Sequence, residues 1–386
     1  MQFFGETNID FIGRRKIFIG LSLVLLIAGA ASLAMKGGPK LGIDFKGGTL
    51  VYVKFQDPPE VDQIRQALTS RGLDVATLQP FEDGSELKID LNIESEVATE
   101  SGKVQIVETL NEVYPAESGR LDFNNVGIEE LGSRLMNNPK VASSPLTSDE
   151  IRQAAATLVG IRDEAPNSGI IRDFSELATT DGVDPAILSA LQDETYLGKF
   201  AVRGVEVVGP KVGSQLQVQA LRATLFALGG MLVYIAFRFE WVYGFAAVAA
   251  VFHDVLITVG FFSLFDREIE LTVIAALLTL VGYSMNDTIV IFDRVRENRK
   301  LTRKMGLEDL LNRSINQTLA RTVLTSGLTL IAVLCLFILG GEVLRGFSFA
   351  LVVGVLVGTY SSIFIASPIL LWWQGVTSKK TARARA

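Results

Sequence analysis

The chain holds one cysteine, Cys335, and one histidine, His253, among 386 residues. A single cysteine excludes an internal disulfide and a cysteine-based metal cluster. A single histidine excludes a histidine-rich metal site. No Gly-Lys-Ser/Thr phosphate loop occurs, so ATP hydrolysis is not expected. Neither a Gly-x-Ser-x-Gly elbow nor a His-Glu-x-x-His pair is present. These absences imply no cofactor and no conventional enzyme, so any work must draw on an ion gradient or a partner. Low-complexity tracts and soluble repeats are missing too.

What is abundant is apolar sequence. Hydrophobic residues make up 49% of the chain and mean hydropathy is +0.35. That is too high for an ordinary soluble protein and suits a membrane protein with one large polar section. Six apolar runs approach the roughly 20 residues needed to cross a bilayer: 17–35, 220–237, 241–265, 271–292, 322–339 and 347–373. Arg14-Arg15-Lys16 ahead of the first run resembles the start of a signal peptide, but its length and the Lys36-Gly-Gly-Pro39 that follows mark a retained anchor. The net charge of −6 is unevenly spread: acidic residues concentrate in the polar section, basic ones beside the apolar runs. Arg14, Arg15, Lys16, Arg238, the 294–321 stretch, Lys379, Lys380, Arg383 and Arg385 fall on one side. The short loops of the other side offer Arg267 and Arg345. The positive-inside rule therefore predicts both termini, with 1–16 and the basic tail 374–386, in the cytoplasm and 36–219 outside.

Within the polar section, alternating apolar residues predict strands at 50–55, 76–81, 87–93 and 202–208. Val61, Ile64 and Leu68, then Val104, Val107, Leu110 and Tyr114, mark two helices. The order β-α-β-β-α-β predicts a ferredoxin-like α+β domain. A helical insertion is expected at about 135–199. It opens on a linker, Asn137-Asn-Pro139 and Ser143-Ser-Pro145, and continues with helices starting at Thr147, Phe174 and Pro185 around Asp181-Gly182. The acidity of this section argues against nucleic-acid binding. Val208-Gly-Pro-Lys-Val-Gly213 is a stiff return to the membrane, leading to five further spans over 220–373. Leu307, Leu310, Leu311 and Ile315 suggest an amphipathic segment at about 295–315 on the cytoplasmic surface. Residues 1–13 are placed at the same interface.

Charges inside apolar runs are the candidate functional residues. Asp287 interrupts the fourth run, and a charge there costs about 2.5–3.5 kcal/mol or more, so it needs a partner, water or a role. Helical spacing puts Tyr283, Asn286, Asp287 and Val290 near one another, with Asn286 and Asp287 facing into a bundle. If the fourth and fifth runs are antiparallel, Arg321 lies at the depth of Asp287, followed on its face by Thr325 and Thr329, with Ser326 beside them. One reading is a proton relay in which Asp287 titrates and Arg321 tunes it; the other is a structural ion pair or an arginine reaching for the interface. His253-Asp254, mid-way along the third run, are a second relay or an inter-helix clamp. Asp293 and Arg294 are expected to be solvated, Asp44 to serve a turn, and Cys335 to pack. Gly354 and Gly358, with Ala350 and Ser362, form a small-residue packing stripe. Trp372-Trp373 suit an interfacial anchor.

Five stretches carry a family resemblance: Gly42-Ile-Asp-Phe-Lys-Gly-Gly-Thr49, Val208-Gly-Pro-Lys-Val-Gly213, His253-Asp-Val-Leu-Ile-Thr258, Gly282-Tyr-Ser-Met-Asn-Asp-Thr288 with Phe292-Asp-Arg294, and Ser314-Ile-Asn-Gln-Thr-Leu-Ala-Arg321-Thr. Together they resemble the SecF family, the smaller half of the SecDF accessory complex of bacterial protein export. The resemblance implies one RND-type half of six transmembrane helices in the inner membrane, with a periplasmic domain. It implies SecD, the SecYEG channel, a translocating preprotein and the lipid bilayer as partners, and use of the proton-motive force. It also matches Asp287 and Arg321 to the family's proposed proton pathway. The insertion departs from the usual compact SecF domain. Beside the ion-coupled translocase subunit stand two other readings, a scaffold without ion coupling and half of a small-molecule RND exporter. Costly buried charges favour the first.

Overall fold

The computed structural model describes residues 7–81, 84–92, 96–117, 119–164, 166–177, 183–238, 241–302 and 305–373. The basic tail at 374–386, residues 1–6 and the Asp181-Gly182 turn lie outside these. Two units emerge, Met1–Phe45 with Gln215–Ala386, and Lys46–Ser214. The first begins with a stretch without regular structure at 7–10, a turn at 11–14 and helix α1 (Arg15–Met35), followed by the short α2 (Ile43–Lys46).

The polar unit runs β1 (Gly48–Phe55), α3 (Val61–Ser70), β2 (Val75–Pro80), β3 (Glu86–Leu91) and α4 (Glu96–Val113). Then come β4 (Leu121–Asp122), α5 (Ile128–Met136), α6 (Pro139–Ala142), α7 (Ser148–Asp163), a 3-10 turn at Phe174–Glu176, α8 (Pro185–Glu194), β5 (Thr195–Tyr196) and β6 (Phe200–Val208). The main sheet has the antiparallel order β2-β3-β1-β6, that of a ferredoxin-like domain. Because side chains alternate along a strand, Val51, Val53 and Phe55 share a face with Leu87, Ile89 and Leu91. Ile64 and Leu68 of α3 and Ile106 and Leu110 of α4 close over that face. Val104, expected on the buried side of α4, is 54% exposed, and Ile106 takes that place. Gly47 and Gly48 have φ of 79° and 147°, which suit glycine, and a Cβ on Gly47 would stand 2.7 Å from the Cα of Pro210.

The insertion is larger than 135–199. It has its own core, built from Phe123, Leu131, Leu135, Leu158, Ile187 and Leu191 among others, so α5 belongs to it. β4 and β5 pair in parallel at its neck. The Asn137-Asn-Pro139 stretch is structured: Asn138 caps α6, accepting from the Lys140 N–H, with Pro139 in the first turn. Thr147 and Glu150 form the capping box that starts α7. Arg162 is buried and donates to the carbonyls of Phe123 and Val126 at 2.7 and 2.8 Å. Asn124 and Gln56 both donate to the carbonyls of Ile171 and Gly198, which fastens the neck to β1.

The first unit resumes with α9 (Pro210–Arg238), α10 (Trp241–Leu264), α11 (Leu271–Leu301), α12 (Leu307–Leu339) and α13 (Gly341–Ser361), the last continuing through a π-turn at Ser362–Ala366. Among the described residues, six helices are long and apolar enough to cross a membrane. Small residues let them approach, since lipid gives helices no hydrophobic reason to associate. A Cβ on Gly29 of α1 would stand 2.7 Å from the Cα of Gly260 on α10, and one on Gly358 would stand 2.9 Å from Ser284 Cβ on α11. Asp44 accepts from the Leu271 N–H at 2.7 Å and so caps α11. The polar stretch at 295–315 is not a separate surface helix. It forms the ends of α11 and α12, where Leu310, Leu311 and Ile315 enter the bundle core. Cys335 is exposed rather than packed, because it lies on the outward side of α12.

Candidate functional site

Two carboxylates are buried within the helical unit. Asp254 of α10 is fully buried. One of its oxygens is 2.8 Å from Nδ1 of His253. The other accepts from Ser284 of α11 at 2.5 Å and from Ser361 of α13 at 2.7 Å. On the far side of the imidazole, Nε2 is 3.5 Å from the Tyr360 hydroxyl, which is 2.9 Å from Ser22 of α1. The Tyr360 ring stands edge-on to His253. Four helices thus converge on one closed polar cluster in which every oxygen of Asp254 is engaged.

Asp287 of α11 is 3% exposed and has a thinner shell. Ser326 of α12 donates to it at 3.0 Å. Arg321 is near enough to act on the carboxyl through space. Among the described residues, however, Asp287 has no ion pair. Arg321 is exposed and lines a cavity of about 560 Å³ together with Tyr234, Asp293, Arg294, Glu297, Gln317 and Thr318. A buried acid beside a detached cation can exist neutral or, if the cation approaches, ionised.

The inner stripe of α11 is Ser284, Asp287, Thr288 and Ile291, not the 283–290 face expected from spacing. Asn286 is exposed, because each residue turns a helix by 100° and Asn286 falls on the flank of that stripe. The Tyr283 hydroxyl is buried without a hydrogen-bond partner among the described residues. On α12 the inward face holds Thr318, Thr322 and Ser326, while Thr325 bonds within its own helix. The structure therefore joins His253 to Asp254, leaves Arg321 in the cavity without an ion pair to Asp287, and puts Ser284, which bonds Asp254, on the same inner stripe of α11 as Asp287. Ser326, expected on the polar stripe of Arg321, donates to Asp287. Ser22, Ser284, Tyr360 and Ser361 were not expected at the site, and their one sequence signal is that each is a hydroxyl inside an apolar run. No group of three metal-ligating side chains occurs among the described residues.

Six candidate membrane helices, buried carboxylates at mid-helix and a ferredoxin-like unit after the first span define a polytopic membrane protein built for more than anchoring. Residues 189–376 match the family described as protein export membrane protein SecD/SecF, C-terminal, and residues 32–59 match the SecD/SecF GG motif. The protein translocase subunit SecF of Koribacter versatilis is 48% identical over 97% of this chain and 94% of its own length. The Pseudomonas aeruginosa SecF is 34% identical over 95% of this chain and 91% of its own. The chain belongs to the SecF family of protein translocase subunits. Among solved structures, it is similar to SecDF from Thermus thermophilus, described as a translocon-associated membrane protein, with TM-score 0.66 and 32% identity. SecDF in a super-membrane-facing form gives TM-score 0.58 and 31% identity. The chain covers 39% and 41% of those two longer proteins.

Proposed function

We propose that this chain is the subunit of a SecDF complex through which a proton gradient does work on an exported polypeptide. Asp287 is the residue that gains and loses the proton, and Arg321 is its movable counter-charge. The supporting observation is a buried carboxylate bonded by Ser326 and approached by Asn286, with Arg321 in a cavity rather than in an ion pair. An ionised acid at that depth needs a cation and a protonated one does not. Motion of Arg321 toward or away from it therefore selects between two states. One proton moved down about 100 mV supplies roughly 2.3 kcal/mol, enough to bias two conformers more than tenfold. Asn286, on the flank beside Asp287, is an accessory group.

His253 and Asp254 are assigned the clamp role, since their cluster is closed and fully partnered. The complex sits in the inner membrane, with both termini cytoplasmic and 36–219 periplasmic, SecD and the SecYEG channel as partners and the preprotein as cargo. Basic residues beside the spans support that orientation, and a reporter tag at Asn167 read from the cytoplasm would reverse it. The decisive experiment is preprotein translocation in reconstituted vesicles with an imposed proton gradient. Asp287→Asn should assemble normally and lose the gradient-dependent stimulation, with Asp287→Glu retaining part of it. Full stimulation of Asp287→Asn returns Asp287 to a structural role.

A further inference from the structure

Residues 7–13 are bound to α12 through their backbone. Asn316 pairs twice with Ile9, its Oδ1 accepting from the N–H at 2.9 Å and its Nδ2 donating to the carbonyl at 2.8 Å. Asn312 Oδ1 accepts from the N–H groups of Phe11 and Ile12 at 3.0 and 2.9 Å, and its Nδ2 donates to Asp10 at 2.8 Å. Asp10 also accepts from the Gly13 N–H. Arg15 reaches Glu308 at 2.6 Å. Ile12 is fully buried in the bundle core with Leu310, Leu311 and Ile315. Two asparagines one turn apart thus bind the backbone of Ile9 and of the turn that begins at Phe11.

Past Thr322, only Ser326 and Val333 of α12 are buried. Its polar ties to α11 are Asn298 with Ser314 and Gln317 near the strap, and Ser326 with Asp287 further on. Between membrane helices such polar contacts, not apolar area, fix register. Ser326 lies about 15 Å along the axis from Asn316 on a helix without proline, so an axial shift at one end is felt at the other.

We propose that residues 7–13 are a strap that sets the axial position of α12, with Asn312 and Asn316 as positioning residues that keep Ser326 on Asp287. The idea extends the coupling role proposed for Asp287 but is tested separately from it. Asn312→Asp keeps the two backbone acceptor contacts and sets a carboxylate against Asp10. Asp10→Asn added to it restores a donor–acceptor pair. In the full-length complex in membranes, hydrogen exchange at the Ile9, Phe11 and Ile12 amides reads strap seating. The infrared carboxyl band of Asp287, identified by difference against Asp287→Asn, reads the Ser326 contact. Asn312→Asp should speed exchange at those amides at least about tenfold and move the band in the direction given by Ser326→Ala. The double variant should return both. A freed strap with an unmoved band overturns the proposal, as does a strap that stays protected. If Asn312→Asp fails to accumulate, Asn316→Ala is read by the same two signals. The band reports Asp287 whether or not that residue couples transport, so failure here and failure of the translocation experiment are distinguishable.

Discussion

Asp254 and Asp287 differ by their shells, and the difference predicts different mutant behaviour. Asp254 is held by two serine donors and an imidazole, and Asp287 by Ser326 with Asn286 beside it. Leaving a buried acceptor short of a donor costs about 1–3 kcal/mol. Ser284→Ala and Ser361→Ala should therefore lower the thermal midpoint of the purified complex and leave its response to a proton gradient intact. Ser326→Ala should lower the midpoint as well and, in addition, change the gradient response. Equal effects of all three substitutions on both measurements would remove the distinction between clamp and coupling site. His253, Asp254, Asp287 and Arg321 were legible in the sequence because a charge stands out in an apolar run. Apart from Ser326, their hydroxyl partners were not, because serine and tyrosine occur in such runs for many reasons. Asn286 was misplaced for a related cause: adjacent positions differ by 100°, so a face drawn through Tyr283, Asn286, Asp287 and Val290 can be rotated off the buried stripe.

At the scale of elements, α13 is fitted to α11 through glycines that are not equivalent. A Cβ on Gly354 would meet the Leu280 side chain, its nearest atom at 2.5 Å, and that chain can rotate away. A Cβ on Gly358 would meet Ser284 Cβ at 2.9 Å, next to the backbone of a residue already bonded to Asp254. Gly358→Ala should therefore reduce recovery of the complex in mild detergent more than Gly354→Ala. The opposite order would mean that Ser284 is freer to move than its bonds suggest. The small-residue spacing on α13 was readable beforehand, as were the strands and the order of the ferredoxin-like unit, because both rest on strict periodicity. The end of α11 and the start of α12 were not. Their leucines repeat at helical spacing, and that pattern is the same for a helix lying on a surface and for one entering a bundle. Tertiary contact decides between the two, here through Ile12 and the segment it belongs to.

At the scale of the molecule, the polar unit contains two separate apolar cores, one on the ferredoxin-like sheet and one in the insertion. Excising 136–194, within the 135–199 suggested by composition, would strand Phe123, Leu131 and Leu135 without Leu158, Ile187 and Leu191. Removing 116–198 and closing with a short Gly/Ser link takes the second core away whole and spares Tyr114, which packs on Phe55 and Phe200. The longer deletion should accumulate in membranes better than the shorter one, as judged by protease-resistant full-length product. If the shorter deletion accumulates as well, the insertion core is dispensable piecemeal.

The partners of α1 also arrive late. Ser22 bonds to Tyr360, 338 residues further along the chain. At about 5–20 residues per second that separation is a wait of roughly 20–70 seconds between synthesis of the two. Gly260 on α10 reaches Gly29 sooner, and until α10 is made α1 has to reside in lipid as a solitary helix. Its composition allows this: from Ile17 to Met35 it carries no ionisable side chain, and its apolar window has a mean hydropathy of 2.5, the highest of the six. The ionisable groups that need company, His253, Asp254, Asp287 and Arg321, lie on α10, α11 and α12, which leave the ribosome in close succession. The order of synthesis and the placement of charge are thus matched, so that no buried carboxylate waits long for its donors.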